Sequence, residues 1–115
     1  MTARRQALGR AGEDAAAAWY TNRGAEVVER NWRCRDGEID LIVRFGGTVV
    51  FVEVKTRSSS RYGSGFAAVD GRKQATIRRV ARRWLAEQEG WAGRVRFDVV
   101  DVDARGHLRV IEAAF

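Results

Sequence analysis

Three charged residues interrupt otherwise apolar segments of this 115-residue chain, and their types could support metal-assisted hydrolysis. Asp40 lies within the run Ile39–Val43, while Glu53 and Lys55 lie at the end of the run Val49–Val54. Mg²⁺ prefers oxygen ligands such as carboxylates, and a neighbouring lysine can orient or deprotonate an attacking water. Charged residues in core strands also form purely structural ion-pair networks, because an unpaired buried charge is strongly destabilising. Spacing alone leaves both interpretations open.

The turn between the two segments predicts that the three charges lie together. Gly46-Gly47 supplies the positive φ that tight hairpins need, so the segment around Asp40 folds back antiparallel beside the segment around Glu53. Residues two apart on a strand share a face, which places Glu53 and Lys55 on one side of the sheet. For a shared Mg²⁺ we expect carboxylate oxygens of Asp40 and Glu53 within about 3–5 Å of each other, and a raised pKa for at least one carboxyl group. A structural network instead predicts that Lys55 bridges one carboxylate directly and that the other turns away.

Seven predicted elements surround these charges. Helical and alternating apolar periodicities, bounded by glycine turns, separate helices from strands. In chain order they are a helix over Ala3–Arg23, strands over Ala25–Arg35, Glu38–Phe45 and Thr48–Thr56, a helix over Arg72–Glu89, and strands over Val95–Val102 and His107–Ala113. The second helix forms a strand–helix–strand crossover, so the fourth strand should run parallel to the third. The predicted fold class is α/β, a single domain over residues 1–115 with a mixed sheet flanked by helices in the order α-β-β-β-α-β-β.

Each helix has a candidate buried stripe, which would fix how it packs on the sheet. The stripe predicted for the first helix is Leu8, Ala11, Gly12, Ala15 and Trp19. The stripe predicted for the second helix is Ile77, Val80, Ala81, Trp84 and Leu85.

Positive charge is concentrated in one part of the chain. The net charge is +6, yet residues 55–83 contain nine bases and one acid, whereas the rest contains 12 bases and 14 acids. Such a concentration is typical of a surface that binds phosphates. The residues expected to bind nucleic acid are Arg57, Arg61, Arg72, Lys73, Arg78 and Arg82. The alternative is a solvated, arginine-rich helix face.

Composition and the absence of certain segments exclude several classes of protein. Apolar residues make up 45% and charged residues 31%, the balance of a soluble globular domain. No apolar run is long enough to span a membrane, and the N-terminus lacks the apolar region of a signal peptide. The single cysteine, Cys34, cannot form an internal disulfide. These features favour a cytoplasmic location.

Six motifs carry a resemblance to a known family. They are Gly9-Arg10-Ala11-Gly12-Glu13, Arg30-Asn31-Trp32-Arg33, Gly37-Glu38-Ile39-Asp40-Leu41-Ile42, Phe51-Val52-Glu53-Val54-Lys55-Thr56-Arg57, Lys73-Gln74 and Phe97-Asp98-Val99-Val100. Their order resembles that of YraN-like proteins, a bacterial, cytoplasmic family of predicted endonucleases, over nearly the whole chain. Asp40 followed by Glu53-Val54-Lys55 also resembles the D-(spacer)-(D/E)-x-K signature of restriction-endonuclease-like nucleases, and the motif order is similar to that of archaeal Holliday-junction resolvases.

The resemblance implies a role for each matching position. Asp40 and Glu53 would be ligands of Mg²⁺ or Mn²⁺, with the carbonyl of Val54 as a third. Lys55 would activate water or stabilise the phosphate, and Glu13 would complete the metal shell, often through water. Gln74 matches a supporting position near the site. Ile39 stands where many of these nucleases have proline before the aspartate.

The expected function is therefore metal-dependent DNA endonuclease activity, with branched or structured DNA as a candidate substrate. The alternatives are a non-catalytic nucleic-acid-binding module of the same fold and an adaptor that binds another protein. Paired acids favour the enzyme, because acids beside a phosphate surface repel DNA unless a cation intervenes. Cutting a junction symmetrically would need a two-fold homodimer, and the sequence leaves the oligomeric state open.

Overall fold

The computed structural model describes residues 3–57, 69–89, 91 and 93–115, without the side chains at positions 4 and 5. The elements are α1 (Ala3–Thr21), β1 (Glu26–Cys34), β2 (Gly37–Phe45), β3 (Thr48–Thr56), α2 (Gly71–Ala86), β4 (Arg94–Val102) and β5 (Leu108–Ile111). The element order is the predicted one, and the bounds differ from the predicted ones by at most three residues. The predicted loop between β3 and α2 lies largely outside the described residues.

The five strands form one mixed sheet in the order β1-β2-β3-β4-β5. Strands β1, β2 and β3 form an antiparallel meander, and Gly46, with φ of 49°, makes the turn that joins β2 to β3. The connection through α2 brings β4 parallel to β3, as the crossover predicted, and β5 returns antiparallel to β4. One apolar layer packs between the sheet and α1, and the other packs between the sheet and α2.

Helix α1 packs on the sheet through a set of buried residues that only partly matches the predicted stripe. The buried positions are Gly12, Ala16 and Tyr20, spaced four apart, whereas Trp19 is only half-buried and carries Arg23 over its ring at 3.7 Å. Of the predicted stripe only Gly12 is fully buried, Trp19 packs half-buried against the same core, and the buried Ala16 and Tyr20 were not predicted. The physical reason is close approach, since a Cβ at Gly12 would collide with the side chain of Thr56 on β3.

Helix α2 buries the stripe that its periodicity predicted. Ile77, Val80, Ala81 and Trp84 are buried, and Leu85 is half-buried beside them. The helix begins after Asp70, whose side chain accepts a hydrogen bond from the backbone N–H of Lys73 at 2.9 Å. This cap fixes the first turn of α2 beside the sheet, because it satisfies an amide that has no partner within the helix.

A buried polar cluster that the sequence analysis did not predict ties the C-terminal end of the chain to the core. Asp98 is fully buried on β4 and accepts hydrogen bonds from Tyr20 at 2.6 Å, from Arg96 at 2.9 Å and from the backbone N–H of Ala113 at 3.0 Å. Ala113 has φ of 50°. The bend explains why β5 ends at Ile111, two residues before the predicted end.

Within the described ranges, no helix is both long and apolar enough to cross a membrane.

Candidate functional site

The β2–β3 ladder places Asp40 beside Glu53. The last paired residues are Leu41 and Val52, so Asp40 and Glu53 occupy the next positions of the two strands. There the backbone pairing gives way to the Asp40 side chain, whose Oδ2 accepts a hydrogen bond from the backbone N–H of Val54 at 2.8 Å. The Asp40 side chain thus satisfies the backbone amide of Val54 in place of a backbone carbonyl. This hydrogen bond fixes the Asp40 carboxyl group at this edge of the hairpin.

The carboxyl group of Glu53 is close enough to Asp40 to affect its ionisation. Burial, followed by the hydrogen bond and the charge of Glu53, raises the pKa of Asp40 from 3.8 to about 9. The bond from Val54 opposes this rise, and the charge of Glu13 adds a smaller contribution to it. The protonated Asp40 can therefore donate its O–H to Glu53 at neutral pH. The expected rise in the pKa of at least one carboxyl group is found at Asp40.

A distortion of β1 and β2 turns Asp40 toward α1. Ile39 packs in the layer under α2, yet Leu41, two residues on, packs in the layer under α1, so the regular alternation fails at Asp40. Asn31, opposite this point on β1, has φ of 51°, and its Nδ2 donates a hydrogen bond to Glu13 Oε1 at 3.1 Å. The irregular backbone of β1 thus occurs at the residue whose side chain hydrogen-bonds to Glu13 of α1.

A polar groove of about 630 Å³ opens on the α1 side of Asp40. Its lining residues are Gln6, Gly9, Arg10, Glu13, Asn31, Arg33, Glu38 and Asp40. Arg33 Nε forms an ion pair with Glu38 Oε2 at 2.7 Å. Glu13 shares the groove with Asp40. Among the described residues, however, no group of three or more His, Cys, Asp or Glu side chains is close enough to hold a metal ion.

On the other side of the hairpin, Glu53 lies beside Lys73, a residue predicted from the sequence to bind nucleic acid. Lys73 Nζ lies 3.2 Å from Glu53 Oε2, and the Glu53 side chain is only 7% exposed. The contact lacks hydrogen-bond alignment, and Glu53 Oε2 has no hydrogen-bond partner among the described residues. The ion pair expected of Lys55 under the structural interpretation is thus made by Lys73.

Lys55 occupies the predicted face without such a pair. It is half-buried, two residues beyond Glu53, and lies opposite Asp101 of β4 in the parallel register. Within the described part of the chain, its ammonium group makes no ion pair or hydrogen bond. Arg57, the next residue on that face, binds the buried Asp101 through two hydrogen bonds of 3.0 and 3.1 Å.

One signal in the sequence could have placed Lys73 at the site. The chain has 21 basic residues other than histidine, of which only Lys55 and Lys73 are lysines. Lys55 follows Glu53 by two residues on β3, and Lys73 contacts Glu53. In a chain that otherwise uses arginine, a lysine indicates a position where a compact, flexible charge is needed in place of a planar guanidinium group.

The residues predicted to bind nucleic acid are not equally available. Arg72 and Arg82 are exposed on α2, and Arg78 lies over the rings of Phe97 and Phe115 at 5.1 and 5.3 Å. Arg57 and Lys73 face acids, as described, and Arg61 lies outside the described residues. Gln74, the supporting position, donates a hydrogen bond from its side chain to the Val69 carbonyl at 3.1 Å. The exposed bases of α2 are therefore the part of the basic segment that is open to a partner.

The fold and site define an α/β domain in which a β-hairpin carries two neighbouring acids, Asp40 and Glu53, the second of them beside Lys73. The chain belongs to the uncharacterised protein family UPF0102, whose model matches residues 12–102, and the YraN-like resemblance is confirmed at this level. A UPF0102 protein of Parafrankia sp. is 57% identical over 107 residues, covering 91% of each chain. One from Frankia casuarinae is 55% identical over 115 residues, covering 96% of this chain and 98% of the relative. One from Geobacter metallireducens is 42% identical over 112 residues, covering 97% and 92%.

Proposed function

We propose that this protein is a Mg²⁺- or Mn²⁺-dependent endonuclease that hydrolyses phosphodiester bonds of DNA. The observation that carries the proposal is the buried Asp40 carboxyl group beside Glu53: burial, followed by the hydrogen bond and the charge of Glu53, raises the pKa of Asp40 to about 9. Two carboxylates so close repel each other unless a proton or a cation lies between them. Close carboxyl groups with a raised pKa are typical of sites that bind a cation rather than of groups that stabilise the fold.

The donor set fits a divalent ion. Glu53 Oε2 is buried without a hydrogen-bond partner among the described residues, and Asp40, whose pKa Glu53 helps to raise, lines the open groove. Mg²⁺ is commonly held by one or two carboxylates together with waters and substrate phosphate oxygens. Asp40 and Glu53 would hold the ion directly, the Val54 carbonyl is the third ligand inferred from the resemblance, and Glu13 would act through water.

When bound, such an ion would neutralise charge on the phosphate and lower the pKa of an attacking water. The residues of the chain supply the rest. Lys55, on the same strand face as Glu53, would orient that water or accept its proton. The exposed Arg72 and Arg82 of α2 would bind backbone phosphates, since guanidinium groups match phosphate geometry. Arg10 of the groove could contact the strand on the α1 side.

A cleavage assay tests the proposal. Purified protein would be incubated with linear duplex, single-stranded, flap and four-way-junction DNAs, each with Mg²⁺, with Mn²⁺ or with EDTA. We expect cleavage of at least one DNA that depends on the cation and is lost in Lys55→Ala. Binding of DNA without cleavage of any substrate by either ion would favour the non-catalytic binding module. Wild-type cleavage by Lys55→Ala would overturn the proposed mechanism.

A further inference from the structure

The charge of Glu53 is balanced in an unusual way. Its Oε2 atom is buried and has no hydrogen bond among the described residues, and the ammonium group of Lys73 lies 3.2 Å away. A buried carboxylate is normally satisfied by several aligned donors. The attraction between the Lys73 ammonium group and Glu53 Oε2 depends on the proximity of their charges alone. A different cation of suitable size could therefore satisfy the same oxygen.

Lys73 is anchored through its backbone, and its side chain is partly exposed. Its backbone N–H is held by the Asp70 cap at 2.9 Å, in the first turn of α2. Its side chain is 38% exposed, which leaves the ammonium group an open path to solvent. Four methylene groups and a compact charge allow a lysine to leave one partner for another without moving the backbone.

We propose that Lys73 is the counter-ion of Glu53 in the metal-free protein, and that a divalent cation entering the Asp40–Glu53 pair displaces the Lys73 ammonium group. The inference rests on the proposed function, because it takes the carboxylate pair as the cation site. Two cations in contact with one buried oxygen repel each other strongly in a medium of low dielectric constant. Lys73 is therefore a positioning residue: it holds Glu53 in place before the ion binds, and it weakens binding of the ion by competing for Glu53.

The presence of only two lysines makes the displacement directly observable. Protein labelled with ¹³C at lysine gives two Cε signals, which the Lys73→Arg variant assigns by losing one. On addition of Mg²⁺ we expect the Lys73 signal to move toward its position in the Glu53→Gln variant, where the ion pair is absent. If Mg²⁺ stabilises the protein against thermal unfolding while the Lys73 signal stays in place, the proposal is wrong.

Metal affinity gives a second, independent readout. Titration with Mn²⁺ in the absence of DNA would be compared for wild type, Lys73→Gln and Lys73→Arg, with Arg79→Gln as a matched control from an exposed position of the same helix. We expect Lys73→Gln to bind Mn²⁺ about tenfold more tightly, equivalent to about 1.4 kcal/mol. Lys73→Arg and Arg79→Gln should stay near wild type. Unchanged or weaker binding by Lys73→Gln would overturn the competition.

These outcomes separate the inference from the proposed function. If Asp40→Asn binds Mn²⁺ as well as wild type does, the carboxylate pair is not the cation site and both fail. If Asp40→Asn loses Mn²⁺ but Lys73→Gln behaves like Arg79→Gln, only the inference fails. If Lys73→Gln gains affinity and the loaded wild-type protein cuts no DNA, the competition holds and the nuclease assignment fails.

Discussion

Asp40 Oδ2 accepts a hydrogen bond from the backbone N–H of Val54 at 2.8 Å, just past the Leu41–Val52 pair that ends the β2–β3 ladder. The bond aligns the Asp40 carboxyl group with Glu53 and satisfies an amide of β3 at the same time. It also lowers the pKa of Asp40, but burial and Glu53 outweigh it. The hairpin therefore maintains a close pair of acids whose repulsion must be relieved by a proton or by a cation.

Replacing Asp40 by asparagine should separate chemistry from folding. The amide oxygen of Asp40→Asn can accept the Val54 N–H, and its NH₂ group can donate to Glu53 as the protonated acid does. We expect the variant to lose cation-dependent cleavage, with a Tm at or above that of wild type at neutral pH. Asp14→Asn, on the exposed side of α1, is the matched control and should retain cleavage. Wild-type cleavage by Asp40→Asn would contradict its role as a ligand.

The raised pKa of Asp40 predicts how stability depends on pH. Between about pH 4 and pH 9, folded Asp40 holds a proton that it releases on unfolding, because its pKa is 3.8 unperturbed and about 9 in the fold. Its contribution to the free energy of unfolding is therefore full below pH 4 and is lost as the pH rises toward 9. In EDTA, the Tm advantage of Asp40→Asn over wild type should grow from pH 5 to pH 9, and by at least about 4 °C, or about 1 kcal/mol. A difference that is constant over this range would show that Asp40 is ionised throughout.

DNA binding should weaken steeply with salt if the exposed bases of α2 contact phosphates. Four phosphate contacts on duplex DNA would give a slope of about −3.6 for log K against log salt concentration. The double variant Arg72→Gln/Arg82→Gln should reduce the slope to about −1.8, because two contacts are lost. Arg109→Gln, an exposed base on β5, is the control. Binding measured by fluorescence anisotropy with a wild-type slope near zero would exclude this surface as the DNA-binding face.

The close approach of α1 to β3 predicts opposite effects for two glycines of one helix. A Cβ at Gly12 would collide with Thr56, whereas a Cβ at Gly9 would meet no atom within 4 Å. Gly12→Ala should lower the free energy of unfolding by about 1–3 kcal/mol through overpacking, and Gly9→Ala should raise it by up to about 1 kcal/mol through helix propensity. Combining Gly12→Ala with Thr56→Ala should restore part of the loss. Denaturant unfolding of the wild type and the three variants measures these changes, and equal effects of the two glycine variants would refute the packing argument.

Local patterns in the sequence were sufficient to predict the architecture and the central pair of acids. The glycine turns and strand alternation depend only on neighbouring residues, so the hairpin that brings Asp40 beside Glu53 follows from Gly46-Gly47 and from the two-residue period of a strand. The crossover from β3 to β4 likewise follows from chain connectivity. For the same reason, the apolar stripe of α2 was predicted from its periodicity.

Contacts between distant parts of the chain were decided only by the tertiary structure. Lys73 reaches Glu53 from another element, and Tyr20 reaches Asp98 across 78 residues, so no local period marks either pair. The stripe of α1 was only partly predicted for a related reason: it included Gly12, which packs closely against Thr56, but it missed the fully buried Ala16 and Tyr20. Periodicity indicates which side of a helix or strand is apolar. The partner of a charged residue, and how closely a helix approaches the sheet, depend instead on how the helices pack on the sheet. Packing and electrostatics act through space rather than along the chain.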